Sequence, residues 1–134
     1  MKSEPDAYSW DDLVAQDVGT WDVVRNYAAR LNLMAMEKGD LAFFYHSNIG
    51  KEIVGIAEIV TEHFPDVTDE KGKFVAVQVK AREKLTKPVT LAQIKADSRF
   101  ASLELIRLSR LSVSKVTKEE FDLILEYANQ KINY

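Results

Sequence analysis

Residues 74–82, FVAVQVKAR, alternate along the chain: Val75, Val77, Val79 and Ala81 fall on one side, and Gln78, Lys80 and Arg82 on the other. Successive side chains of a strand point to opposite faces, so this run predicts a strand with one buried face and one wet, basic face. Such a strand needs partners, and the sequence offers them upstream. LAFFYHS at 41–47 and EIVGIAEIV at 52–60 read as strands joined by the turn residues Asn48-Ile49-Gly50. Gly55, inside the second run, predicts a bulge or a close backbone approach. HFPDVTDEKGK at 63–73 reads as a loop, and RLSVSKV at 110–116 as a last short strand.

Helices are marked by three capping boxes, in which a Ser or Thr and the residue three further on satisfy each other's backbone N–H. Ser9 pairs with Asp12, and Tyr8 is placed to staple onto Leu13; Gly19 ends that unit. Thr90 and Gln93 open a helix over about 91–96, with Val89 stapling Ile94 and a further helix over 98–105. Thr117 and Glu120 open the last helix, with Val116 stapling Phe121; Phe121, Ile124, Leu125 and Ala128 form its apolar stripe. Val23, Val24, Tyr27, Leu31 and Met34 have roughly helical spacing and predict a helix over 22–34. The expected fold is α+β: a small antiparallel sheet or barrel with helices at its start and end.

At 134 residues the chain fits a single domain with a real core. It has no cysteine, which excludes disulfides, thiol chemistry and the commonest structural zinc sites. His46 and His63 are the only histidines and show no ligand spacing, so no metal or cofactor is expected. The N-terminus lacks a signal-peptide layout, and IVGIAEIV at 53–60 is too short to span a bilayer. The expectation is a cytoplasmic protein, nuclear in a eukaryote, with no membrane partner. Charge is segregated: residues 1–79 carry 7 bases and 14 acids, but residues 80–118 carry 10 bases and 3 acids. The basic stretch is either a solvated face or a phosphate-facing patch.

The acid pairs Asp11-Asp12 and Glu119-Glu120 sit in first helical turns, where the helix dipole explains them. His46 and Ser47 are adjacent and point to opposite faces of a strand, so they cannot form a nucleophile–base pair. No nucleophile elbow and no glycine-rich phosphate loop are present. WDVVRNYAAR at 21–30 is the richest stretch: Trp21 and Tyr27 supply flat rings, Asn26 a donor beside an acceptor, and Arg25 and Arg30 planar forks. It reads either as core rings with solvated arginines or as a site for a flat, heteroatom-edged ring. Tyr45-His46-Ser47-Asn48 at a strand exit and Ser109-Arg110-Leu111-Ser112 are second and third polar sets.

As an ordered set, KSEP at 2–5, SWDDL at 9–13, WDVVRNYAAR at 21–30, FFYHSN at 43–48, IVGIAEIV at 53–60, FPDVTD at 64–69, PVTL at 88–91 and SRLSV at 109–113 resemble the EVE domain, a family similar in fold to PUA and YTH domains. The resemblance spans Lys2 to about Leu125. It implies a PUA-like, mostly antiparallel β-barrel with flanking helices. It also implies a non-enzymatic pocket that reads a base in nucleic acid, such as a modified cytosine in DNA. The family's pocket positions carry over to Trp21, Asn26, Tyr27, Arg30, Tyr45, His46, Ser47, Asn48, Arg110 and Ser112, with Ser3 and Glu4 nearby.

The chain departs from the family at Val23, Ala28 and Leu31, where Gly, Gln and Asn are usual, so two hydrogen-bonding side chains are absent. The family also has a short aromatic-apolar strand before KSEP, whereas this sequence starts at Met1: either the first strand is shortened or the true start lies upstream, and a missing strand would leave an exposed sheet edge and a pairing liability. The expected mechanism is base extrusion: the flipped base stacks on Trp21 or Tyr27, and Asn26, Ser47 or Asn48 reads its edge. Lys80, Arg82, Arg110 and Lys115 are the expected phosphate contacts, with affinity that falls with salt. The partner is thus modified DNA or RNA, and the protein a monomer or weak dimer. The rival readings are a nucleoside-binding or RNA-modification accessory module, with His46 the only candidate base for an enzyme, and a protein-binding module using the basic segment.

Overall fold

A computed structural model of the chain describes residues 1–3, 8–22, 24–47, 50–108 and 111–129. The elements run β1 (Lys2–Ser3), α1 (Trp10–Gln16), β2 (Val18–Trp21), α2 (Tyr27–Met34), β3 (Leu41–His46), β4 (Glu52–Pro65) and β5 (Val75–Thr90). They continue through α3 (Leu91–Ala96), a 3₁₀ turn (Ser98–Phe100), α4 (Glu104–Arg107) and α5 (Lys118–Tyr127). The five strands form one sheet in the order β1-β3-β4-β5-β2. All pairings are antiparallel except β1 with β3. The α+β expectation holds.

Both faces of the sheet carry a core. Phe43 and Phe44 are adjacent in β3 and therefore point to opposite sides. Phe44 joins Trp10, Leu13, Trp21, Val77 and Val79. Phe43 joins Ile56, Val89 and Ile94 under the apolar stripe of α5. All three capping boxes form, at Ser9/Asp12, Thr90/Gln93 and Thr117/Glu120. No helix among the described residues is long and apolar enough to cross a membrane.

Gly55 shows the close approach its position predicts. A Cβ there would lie 2.5 Å from the six-membered ring of Trp10. The β3–β4 ladder slips between Phe44 and Tyr45, and the β4–β5 ladder between Ile53 and Gly55. A bulge and a missing side chain thus let the first residue of α1 lie on the sheet.

Other expectations are corrected. Gly19 does not end α1, which stops at Asp17 with φ 67°. It lies in β2, where a Cβ would meet the Tyr8 hydroxyl at 2.6 Å and Leu13 Cδ1 at 2.9 Å. The helix predicted over 22–34 begins only at Tyr27, because Trp21 belongs to β2 opposite Val77. β4 continues into the predicted loop as far as Pro65, and β5 runs on through Pro88 to Thr90. The helix over 98–105 is a 3₁₀ turn followed by the single turn of α4. The described part of 110–116 forms no strand; one backbone bond, from Lys2 N–H to Ser112 O at 2.8 Å, ties it to β1.

Candidate nucleic-acid interface

Two groups of side chains hold the residues singled out in the sequence. The first is a knot of rings where β1, β2 and β3 meet α1. Trp21, only 9% exposed, meets Tyr8 at 6.4 Å and 83° and Phe44 at 5.6 Å and 89°, both edge to face. Trp10 meets Phe44 at 5.6 Å and 74°. His46 Nε2 accepts the Trp10 backbone N–H at 3.1 Å, which places the imidazole proton on Nδ1. Ser3 Oγ donates to Tyr8 O at 2.5 Å, and Ser3 O accepts the Ser47 N–H at 2.9 Å.

Burial lowers the His46 pKa, partly opposed by the Glu52 and Asp11 carboxylates. Because the folded-state value lies below the ordinary one of about 6.5, neutral His46 contributes its stability above that pH and loses it as the pH falls. His46→Gln should therefore shrink the drop in urea midpoint between about pH 7 and pH 5.5 relative to the native chain. An identical drop in both proteins would remove His46 from this role.

The second group surrounds the start of α2. Asn26 is its N-cap: Oδ1 accepts the Ala29 N–H at 3.1 Å, while the side-chain NH2 has no partner among the described residues. That role explains an asparagine here without any ligand. Tyr27 follows and is 57% exposed. Its ring leans on Phe74 at 5.2 Å and 33°, and the Arg30 guanidinium lies 5.1 Å from its centroid. The Arg25 guanidinium lies 5.5 Å from the Phe74 centroid, so the two neighbouring rings, Phe74 and Tyr27, are flanked by Arg25 at one end and Arg30 at the other.

Hydrogen bonds lock both arginines onto the 66–74 loop. Arg25 Nη1 donates to buried Asp66 at 3.0 Å and Nη2 to Thr68 Oγ1 at 2.8 Å, while Thr68 donates its own hydroxyl to Asp66 at 2.6 Å. Asp69 accepts the N–H groups of Lys71, Lys73 and Phe74, which shapes the turn that delivers Phe74. Arg30 Nη1 donates to Lys73 O at 2.9 Å, and its buried Nε has no partner among the described residues.

Not every residue singled out joins these groups. Tyr45 is corrected: it lies 5% exposed in the core on the other face of the sheet, because it follows Phe44 in β3. Ser112 is half-buried beside β1, where its carbonyl holds Lys2. Lys80 faces Asp17 at 4.0 Å, and Arg82 faces Glu58 at 3.2 Å. Lys115 is exposed, and its N–H is held by Glu104. Glu4, Asn48 and Arg110 lie outside the described residues. Asp66, Thr68 and Phe74 are not among the residues the sequence singles out: Asp66 and Thr68 sit in a stretch that reads as loop, Phe74 reads as the start of a strand, and no local pattern shows that Arg25 needs a buried partner 41 positions away. No cluster that could hold a metal occurs among the described residues.

A bulged, mostly antiparallel sheet cored on both faces, with ring and arginine groups around β2 and α2, defines the class: an α+β domain whose polar aromatic surface lies beside one core. The chain belongs to the EVE domain family, whose family model matches residues 1–127. It is 34% identical to human thymocyte nuclear protein 1 over 93% of this chain and 71% of that protein. A solved Rhodopseudomonas palustris protein, Rpa0253, is 52% identical with a TM-score of 0.91, covering 96% of this chain and 90% of that one. A crystal structure of human THYN1 protein in complex with 5-methylcytosine-containing DNA is 32% identical with a TM-score of 0.90, covering 98% of this chain and 97% of that one.

Proposed function

We propose that this protein is a non-enzymatic reader of nucleic acid that takes up a flipped, modified base, with modified cytosine in DNA the leading candidate. The observation that carries this reading is the human relative bound to 5-methylcytosine-containing DNA, alike over 97% of the crystallised chain. The surface around α2 supports it. Tyr27 offers a largely exposed ring that leans on Phe74 beside the Arg30 guanidinium, and Asn26, one residue before it, offers an NH2 with no partner among the described residues. A base extruded from its strand stacks on Tyr27, and the Asn26 NH2 donates to an acceptor on the base edge. Phosphates are drawn by the basic stretch, where Lys80 and Arg82 give up their contacts with Asp17 and Glu58. Trp21 serves this reading as a wall that holds β2 in place.

The test is fluorescence anisotropy with duplex and single-stranded oligonucleotides carrying cytosine or 5-methylcytosine, at two salt concentrations. The modified duplex should bind more tightly, and affinity should fall with salt. Tyr27→Ala should cost about 1–3 kcal/mol of binding, the worth of a base–aromatic stack, with unchanged circular dichroism. Equal affinity for both cytosines would end the modified-base reading. Tight binding of RNA or of free nucleoside would favour the accessory-module alternative.

A further inference from the structure

Helix α2 has apolar residues on both sides. Ala29 and Leu33 face inward and are fully buried. On the opposite side Tyr27, Leu31 and Met34 are 57%, 59% and 41% exposed, and Ala28 and Ala35 are exposed with them. Steps of four and three residues bring Tyr27, Leu31 and Met34 into one line along the helix, which is the spacing of a helix–helix seam. A surface helix ordinarily turns charged or polar residues to water on that side, so an apolar outer face marks a contact surface.

The side chains of Ala28, Leu31 and Met34 carry no hydrogen-bond donor for a phosphate or a base edge, so the seam beyond Tyr27 suits a protein rather than a nucleic acid. The pattern of the face identifies that protein, because it is self-complementary about Leu31. Set an antiparallel second copy against it, with the two-fold axis passing Leu31. Leu31 then meets Leu31, Ala28 meets Met34, and Tyr27 meets Ala35, so that away from the axis each large side chain faces a small one. Six positions out from the axis, Arg25, whose side chain is 37% exposed, meets exposed Glu37, and the two ends match in charge.

We infer that α2 pairs antiparallel with α2 of a second copy of this chain, and that the pair covers Tyr27, so the domain masks its own base-stacking surface. The masking rests on the function proposed above; the pairing does not. One eight-residue helix offers less than the ~800 Å² per partner of a standard interface, so the pair is weak and opens on dilution. A second copy and a bound base compete for one ring, so nucleic acid separates the copies, and pairing in turn releases nucleic acid.

Because the chain has no cysteine, Leu31→Cys supplies a single thiol, and a two-fold axis at that residue sets it against its own copy at disulfide distance. Under diamide, Leu31→Cys should cross-link about tenfold or more faster than Glu126→Cys, at an exposed site on α5, because pairing raises the local thiol concentration. Chains carrying Ala28→Cys and Met34→Cys should cross-link to each other and not each to itself. The disulfide-linked dimer of Leu31→Cys should lose the 5-methylcytosine duplex and regain it on reduction. In sedimentation equilibrium the native chain's average mass should rise with concentration, and Leu31→Ser should flatten that rise with its circular dichroism unchanged. The proposal is overturned by a native mass that stays constant at the highest soluble concentration, by equal cross-linking of Leu31→Cys and Glu126→Cys, or by an oxidised dimer that binds the duplex as tightly as the reduced protein. A native chain that binds no duplex would sink the base reading and the masking with it, while the cross-links, read without nucleic acid, still decide the pairing.

Discussion

Gly55→Ala should destabilise the protein by about 3 kcal/mol, a large effect for a single added methyl group. The new Cβ would lie 2.5 Å from two ring atoms of Trp10 and 2.7 Å from a third. The indole cannot simply swing aside, since it is buried and meets Phe44 edge to face at 5.6 Å. Either β4 gives up its bulge or the first turn of α1 lifts off the sheet. Lifting α1 carries the Trp10 N–H away from His46 Nε2, so the damage reaches the ring knot. Urea unfolding gives the stability, and a Gly55→Ala, Trp10→Leu double variant gives the cause. Trp10→Leu alone is costly because it empties a core position, yet it also vacates the space the methyl needs. The two losses should fall short of additivity by about 1–3 kcal/mol. Additive losses, or a Gly55→Ala protein as stable as the native one, would mean the ring and the glycine are not in conflict.

Sequence and structure agree where the signal is local. Each capping box lies within four residues, and all three form. The alternation at 74–82 likewise buries Val77 and Val79 and leaves Lys80 and Arg82 exposed. Agreement fails where a distant partner decides. Val24 has helical spacing with Tyr27, but the β5 ladder claims Trp21, and α2 opens only after the Asn26 cap. The described part of 110–116 has strand-like residues, yet Ser112 and Val113 lie in a bend, and Val113 O and Lys115 N–H are taken by the side chains of Asn32 and Glu104 rather than by a ladder. Within the site, grouping Tyr45 with His46 through Asn48 overlooked the period of a strand. That period sends Tyr45 to the far core and leaves Phe44 with Trp21. The Arg25–Asp66 pair had no local signature at all.

Trp21→Ala should be the most damaging change in the candidate interface, at about 3–5 kcal/mol of stability, the range for removing a buried large aromatic. Two rings lose their edge-to-face partner, Tyr8 and Phe44, and β2 loses its closing residue opposite Val77. A binding defect in that variant would say nothing about stacking, because a partly unfolded population binds less whatever the ring's role. Trp21→Phe separates the two roles, since it keeps a ring in the core and shortens only the outer part. If Trp21 is a wall, Trp21→Phe should keep the native preference for 5-methylcytosine over cytosine while losing some stability. Tyr27→Ala should do the reverse, losing the oligonucleotide while its unfolding midpoint barely moves, because that ring is more than half in solvent. Should Trp21→Phe abolish the preference in a fully folded protein, the stacking surface belongs to Trp21, and the edge-on packing of Tyr8 and Phe44 must open to admit the base.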